Sequence, residues 1–184
     1  MTHAASIVIH AGKLLADPAQ APKDRCSVQI KNDKITAVST GFVDPPEGAV
    51  LIDLKDKFVL PGLIDCHVHL TGQFGPGYRL RVVEDSDVKI GLNGAYHAKL
   101  TLKAGFTTVR DVGALGHPDT VFALRSAIAE GKVPGPRMLC VGTIISPTGG
   151  HGQTYGYRED VCACVQSHSG TCDGVDDCRR AVRR

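Results

Sequence analysis

The chain has 184 residues, and its 21 Lys and Arg against 19 Asp and Glu give a formal net charge of +2. Because positive and negative charges nearly balance, the chain has no strong electrostatic field that would favour nucleic acid or an anionic membrane as partner. The longest apolar stretch, residues 58–64, contains Pro61 and Gly62 and is far shorter than the ~20 residues that span a bilayer. The seven cysteines are an odd number scattered along the chain, which argues against a complete disulfide framework and predicts a cytoplasmic protein.

Residues 1–58 are predicted to form short strands and turns. Apolar or alternating runs at residues 6–10, 26–30, 35–38 and 50–52 indicate strands, and Asn32-Asp33 is a turn signal. The pattern predicts a small antiparallel β unit that contains a hairpin.

From residue 59 onward the pattern predicts strands that alternate with helices. Strands are expected at residues 63–68, 106–109 and 137–141, and helices at 85–103 and 120–130. Three βα-type units in succession predict a parallel sheet with right-handed crossovers. The apolar stripe of the first helix is predicted to comprise Val88, Leu92, Ala95, Lys99 and Leu102.

A last helix is predicted after Asp173, whose side chain is a candidate N-cap. Its apolar face would contain Val175, Cys178 and Val182, and no helix stop signal follows before Arg184. We therefore expect the chain to be a fragment of a longer protein; the alternative is a short domain that ends on an exposed helix.

Two histidines at the end of the strand at residues 63–68 form the sharpest chemical signal. Because strand side chains alternate, His67 and His69 share one face, roughly 7 Å apart along the strand, and could converge on one cation. Imidazole suits Zn²⁺ and similar divalent ions. Asp65 lies on the same face and could orient a histidine. Taken alone, such a pair also arises by chance on a half-exposed strand.

Longer motifs around these histidines resemble the amidohydrolase superfamily. Residues 59–69 (VLPGLIDCHVH) are similar to the strand that opens the catalytic barrel of that family, and residues 105–113 (GFTTVRDVG) and 135–139 (GPRML) to its second and third strands. Residues 146–152 (SPTGGHG) resemble the branch with prolidase-like and imidazolonepropionase-like proteins. The resemblance implies an α/β fold: domain 1–58 as part of a small β-sandwich, and domain 59–184 as the first part of a (β/α)₈ TIM-type barrel.

The resemblance also implies a metal-dependent hydrolase. His67 and His69 match the ligands of one or two divalent ions, most often zinc, which would activate the water that attacks an amide carbon. The family's bridging lysine, later histidines and catalytic aspartate lie on later barrel strands, so the catalytic residue is expected beyond Arg184. We therefore expect these 184 residues alone to be inactive.

Further candidates follow the second and third strands. His151, in a Gly-rich loop, is predicted to bind substrate, and Tyr155, Tyr157 and Arg158 are candidates for a substrate carboxylate; solvated surface positions are the alternative. Arg110 and Asp111 end the second strand, where an ion pair could support the site. His97 is expected on the outer surface of the first helix.

Four cysteines near the C-terminus are not expected to bind zinc. Cys162, Cys164, Cys172 and Cys178 contain no Cys-x-x-Cys pair, which structural zinc sites commonly use. Individual buried or half-exposed thiols are the simpler interpretation.

The leading functional hypothesis is an amidohydrolase that cleaves a peptide-like C–N bond in a dipeptide or an N-acyl amino acid. The alternatives are a cyclic-amide hydrolase of imidazolonepropionase or dihydropyrimidinase type, and a non-catalytic relative that serves as a scaffold. The expected partner is a small-molecule or dipeptide substrate, and a homo-oligomer of the complete protein is compatible with each hypothesis.

Overall fold

The structure is a computed structural model that describes residues 6–165 and 170–183. The chain divides into two units, Met1–Pro61 and Gly62–Arg184, which are described in turn. The domain assignment of 1–58 and 59–184 stays a prediction.

The first unit is a four-stranded sheet. Its strands are β1 (Ser6–Leu14), β2 (Lys23–Lys31), β3 (Lys34–Thr40) and β4 (Val50–Val59), in the spatial order β3-β2-β1-β4. The predicted hairpin joins β2 to β3 through Asn32 and Asp33, with φ of 51° and 61°. Such left-handed residues suit a two-residue hairpin because their twist matches that of the strands.

The prediction of a wholly antiparallel unit is wrong for β4. This strand pairs in parallel with β1, with Ile7 opposite Val50 and Ile9 opposite Ile52. Because β3 and β4 occupy opposite edges of the sheet, residues 41–49 carry the chain across it, and β4 enters beside β1 in the same direction. The sequence pattern predicted the strands of this unit but not the connection across the sheet that makes β4 parallel to β1.

The second unit contains a parallel sheet with helical crossovers, as predicted. Its strands β5 (Leu63–Val68), β6 (Phe106–Asp111) and β7 (Arg137–Cys140) lie side by side in that order. Helices α2 (Asp87–Lys103) and α3 (Asp119–Ala129) form the crossovers. The remaining elements are α1 (Tyr78–Glu84), β8 (Ile145–Ser146), α4 (Glu159–Val165), β9 (Gly170–Thr171) and α5 (Gly174–Val182), with β8 parallel to β9.

The core of this unit lies between the sheet and its two crossover helices. Its buried members are Leu70, Ala98, Val109, Leu124 and Met138. Successive strand side chains face opposite sides of a sheet, and Leu139, next to buried Met138, is 62% exposed. The helices therefore cover one face of this sheet.

The predicted apolar stripe of α2 coincides only in part with its buried face: Ala95 packs against the core. Val88 and Leu92 are exposed, whereas Ile90, Gly94 and Ala98 are buried. A Cβ on Gly94 would lie 3.2 Å from Leu124 Cδ2, so a small residue is needed for the helix to approach its neighbours. Hydrophobic periodicity failed here because small residues add little to an apolar pattern.

No helix in the described residues is both long and apolar enough to cross a membrane.

Candidate metal centre and adjoining cavity

The imidazoles of His67 and His69 lie next to each other at the carboxyl end of β5. Their ring centroids are 5.5 Å apart and the ring planes meet at 74°. His67 is exposed and His69 is partly buried. Barrel enzymes place their chemistry at this end of the strands.

A backbone carbonyl fixes the orientation of His69. Its Nδ1 lies 2.9 Å from the carbonyl oxygen of Gly113, in the segment that follows β6. Because a carbonyl oxygen only accepts hydrogen bonds, this bond selects the tautomer of the neutral ring with the proton on Nδ1 and the lone pair on Nε2. Histidines that bind metals are commonly held by this type of bond through the other ring nitrogen.

Asp111, the last residue of β6, supports this arrangement through the main chain. Its carboxylate is fully buried and accepts hydrogen bonds from the N–H of Leu70 (2.8 Å) and of Gly113 (3.1 Å). Burial raises the pKa of Asp111, while these two hydrogen bonds and the neighbouring His69 oppose the rise. Asp111 thus binds both Leu70, the residue after His69, and Gly113, whose carbonyl oxygen accepts the hydrogen bond of the His69 ring.

The expected ion pair between Arg110 and Asp111 is not formed. Arg110 is exposed and its Nε donates to the carbonyl oxygen of Cys66 at 2.9 Å, whereas Asp111 is buried. Adjacent strand residues point to opposite faces of the sheet, so the two side chains are separated.

Asp65 also acts on the main chain. Its carboxylate accepts a hydrogen bond of 3.0 Å from the N–H of His67. Asp65 was predicted to orient a histidine ring; its hydrogen bond instead holds the backbone from which the His67 ring projects.

The two histidines fit part of a divalent-metal site. Catalytic zinc normally has three protein ligands, and the described residues contain no group of three His, Cys, Asp or Glu side chains that could hold an ion. The short distance between the two rings and the hydrogen bond that holds Nδ1 of His69 are both expected for two metal ligands at the end of one strand.

A cavity of about 520 Å³ adjoins His69, a size typical of small-molecule sites. His151 and Tyr155, both predicted to bind substrate, line it together with His69. The other side chains that line it include Phe74, Tyr78, Arg79, His117, Gln153 and Tyr157.

Arg158 lies outside this lining, contrary to its predicted role as a substrate ligand. Its guanidinium binds both carboxylate oxygens of Asp160, at 2.7 and 3.2 Å, and lowers the pKa of that carboxyl group. The charge of Arg158 is therefore paired with an acid two residues away in the sequence.

Tyr78 and Arg79, at the start of α1, also line the cavity and were not predicted from the sequence. Arg79 donates to the carbonyl oxygen of Gly156 (3.0 Å), and the Tyr157 hydroxyl donates to the carbonyl oxygen of Arg79 (2.8 Å). Burial raises the pKa of Tyr78. The turn signal Gly75-Pro76-Gly77, soon after the two histidines, could have placed both residues beside the site.

His97 is not the outer-surface residue that was expected. Its Nδ1 lies 2.8 Å from the carbonyl oxygen of Leu70, and its Nε2 lies 3.1 Å from Oε1 of Gln73. His97 therefore ties α2 to the segment that follows His69.

The second unit is thus a parallel βα unit with a histidine pair at the carboxyl end of its first strand. The sequence profile of the amidohydrolase family matches residues 58–184, and the chain belongs to that family. The fold predicted from sequence, the first strands of an amidohydrolase barrel, is thereby confirmed.

Among curated proteins, the chain is 36% identical over 75 residues to a dihydroorotase of Syntrophus aciditrophicus, covering 41% of the chain and 17% of the relative. It is 26% identical over 200 residues to an ochratoxinase of Aspergillus niger, covering 96% of the chain and 38% of that relative.

Several solved structures are similar over nearly the whole chain, and two of them act as examples. A Xaa-Pro dipeptidase with methionine in its active site has a TM-score of 0.78 and 31% identity, covering 97% of this chain and 44% of that one. A prolidase bound to N-methylphosphonate-L-proline has a TM-score of 0.74 and 29% identity, covering 97% and 43%. The chain thus spans less than half the length of each of these relatives.

Proposed function

We propose that the complete protein is a metal-dependent hydrolase that cleaves an amide C–N bond in a dipeptide or an N-acyl amino acid. The observation that carries the proposal is the hydrogen bond of His69 Nδ1 to the Gly113 carbonyl oxygen, which in the neutral ring leaves the lone pair on Nε2. The centroid of this ring lies 5.5 Å from that of His67. Family membership supports the reaction class.

His67 and His69 would supply two ligands of a divalent ion, and zinc suits imidazole donors. The chemistry that such an ion supplies when bound is a water of lowered pKa and a Lewis acid for the scissile carbonyl. The chain's own contribution is positional: Asp65 holds the backbone of His67, and Asp111 and Gly113 hold His69.

The cavity beside His69 would hold the substrate. Arg79 places a cation in the lining that could bind a free carboxylate, and the rings of Phe74 and Tyr78, 4.7 Å apart, offer an apolar surface. His151 would contact the carbonyl oxygen of the scissile bond. Similarity to a Xaa-Pro dipeptidase and a prolidase supports a peptide-like substrate.

A cyclic amide is the second candidate substrate. The similarity to dihydroorotases favours it: 75 residues of this chain align with a dihydroorotase at 36% identity. A dipeptide panel and a cyclic-amide panel, assayed in parallel, separate the two candidates.

The test uses the complete protein and measures metal content and hydrolysis together. We expect about one or two transition-metal ions per chain, and their loss in both His67→Ala and His69→Ala. His151→Ala is the matched control, because it removes a histidine from the same cavity and should keep the metal while raising KM.

Unchanged metal content in both variants at the paired histidines would overturn the proposed site. Metal retention by wild type without hydrolysis of either panel would instead favour a non-catalytic scaffold.

A further inference from the structure

Two thiols in the C-terminal part of the chain lie in contact. The Sγ atoms of Cys172 and Cys178 are 3.3 Å apart, and the Cys172 thiol donates to the Cys178 sulfur. Cys172 directly precedes Asp173, the N-cap position of α5, and Cys178 lies within that helix. A disulfide bond of about 2.05 Å would require the two sulfurs to approach by only roughly 1 Å more.

The other two cysteines of this region have different surroundings. Cys162 donates to the carbonyl oxygen of Tyr157 at 3.6 Å, and Cys164 is exposed. The thiol contact therefore distinguishes Cys172 and Cys178 from two neighbours in sequence, which serve as internal controls.

We propose that Cys172 and Cys178 are a redox-active dithiol that a low-molecular-weight disulfide converts into an intrachain disulfide. A thiol pair of this type is a modification site separate from the two histidines. In a reducing compartment, disulfides are usually transient and regulatory rather than structural.

The exchange proceeds in two balanced steps. The Cys178 thiolate attacks one sulfur of the small disulfide, which breaks its S–S bond, forms a mixed disulfide and releases one small thiol. The Cys172 thiolate then attacks the Cys178 sulfur and displaces the second small thiol. The two protein thiols are oxidised, and the small disulfide is reduced to two thiols that take up both protons.

Exposure sets this order of attack. Cys172 is 3% exposed, whereas Cys178 is half-buried, so Cys178 is the sulfur that a reagent can reach. The hydrogen bond that Cys172 donates to Cys178 raises the pKa of the Cys172 thiol to about 11, which agrees with Cys172 as the second nucleophile.

The dithiol adjoins the loop that carries His151. The N–H of Cys172 donates to the carbonyl oxygen of Ser146 (3.0 Å), and the Asp173 carboxylate accepts from the N–H of Thr148 (3.1 Å) and from its hydroxyl. Oxidation would thus cross-link α5 next to the hydrogen bonds that hold this loop.

The experiment equilibrates the complete native protein in glutathione buffers with a rising fraction of glutathione disulfide. Free thiols are alkylated and the tryptic peptide of residues 159–179, which contains all four cysteines, is sequenced by tandem mass spectrometry. We expect a peptide that is alkylated only at Cys162 and Cys164 and is two hydrogen atoms lighter than the same doubly alkylated peptide with two free thiols. Reduction with dithiothreitol followed by a second alkylation should convert it into the peptide with four alkylated cysteines.

Two variants sharpen the result. Cys178→Ser should abolish this species, and Cys164→Ser should retain it. Alkylation of both Cys172 and Cys178 in wild type in the most oxidising buffer, or a disulfide that includes Cys162 or Cys164, would overturn the proposal. The wild-type measurement needs no variant and stands if Cys178→Ser fails to fold.

Discussion

Asp111 positions His69 without binding its ring. The carboxylate accepts the N–H of Leu70, the next residue after His69, at 2.8 Å, and that of Gly113 at 3.1 Å. The carbonyl oxygen of Gly113 then accepts the Nδ1 proton of His69 at 2.9 Å. One buried acid on β6 therefore sets both the backbone and the ring orientation of a candidate ligand that follows β5.

Asp111→Asn should weaken metal binding by the complete protein. An amide side chain cannot accept both N–H bonds with its two ends, so the Gly113 carbonyl oxygen shifts relative to His69. Changes to groups that orient metal ligands typically cost about 10–100-fold in affinity, and we expect a loss in that range by competition with a chromophoric chelator. Asp24→Asn, at an exposed residue of the first unit, is the control. Equal affinity of both variants would contradict the role of Asp111.

The stability of the protein should report the raised pKa of Asp111. Because burial raises the pKa above the ordinary value of 3.8, the folded protein binds this proton more tightly than the unfolded chain. The contribution of this proton to the free energy of unfolding is fully present below pH 3.8 and is lost as pH rises through the raised pKa of Asp111.

Urea unfolding of metal-free wild type and Asp111→Asn over a pH series measures this effect. We expect wild type to lose stability relative to the variant as pH rises above 3.8, and the difference to become constant above the raised pKa. A relative gain by wild type would mean that the two N–H bonds outweigh burial.

Arg79, rather than Arg158, should recognise a substrate carboxylate. A charged hydrogen bond contributes about 1.5–3 kcal/mol, so Arg79→Ala should raise KM about tenfold or more for substrates with a free carboxylate and leave their carboxamide analogues little changed. Arg158→Ala should behave as wild type, since this side chain binds Asp160 and lies outside the cavity. The opposite ranking of the two variants would restore the expectation from sequence.

Two glycines of α2 should respond differently to alanine. Nothing lies within 4 Å of a Cβ placed on Gly91, whereas one on Gly94 would be 3.2 Å from Leu124 Cδ2 and from Thr71 Cγ2. Gly91→Ala should stabilise the fold by about 0.5–1 kcal/mol through helix propensity. Gly94→Ala should be less stable than Gly91→Ala by about 1 kcal/mol or more because its gain is opposed by crowding. Thermal unfolding of the pair tests the packing of α2, and equal stabilities would contradict it.

Local patterns predicted the strands and crossover helices of the second unit well because these elements depend on short-range signals. The helix end at Gly105, with φ of 97°, is one such case. The short helices α1 and α4 and the β8–β9 pair were missed, since each has too few residues for a periodic pattern. Asp173 does occupy an N-cap position, but its carboxylate binds Thr148 and makes no cap hydrogen bond.

The sequence by itself determined the family motif, the parallel sheet of the second unit and the two histidines, because all of these are encoded by neighbouring residues. Only the tertiary structure decided how Asp111 and Gly113 hold His69, that Arg79 rather than Arg158 reaches the cavity, and that two cysteine sulfurs touch. These relationships join residues on different elements, and their hydrogen-bond directions and distances exist only once the chain has folded.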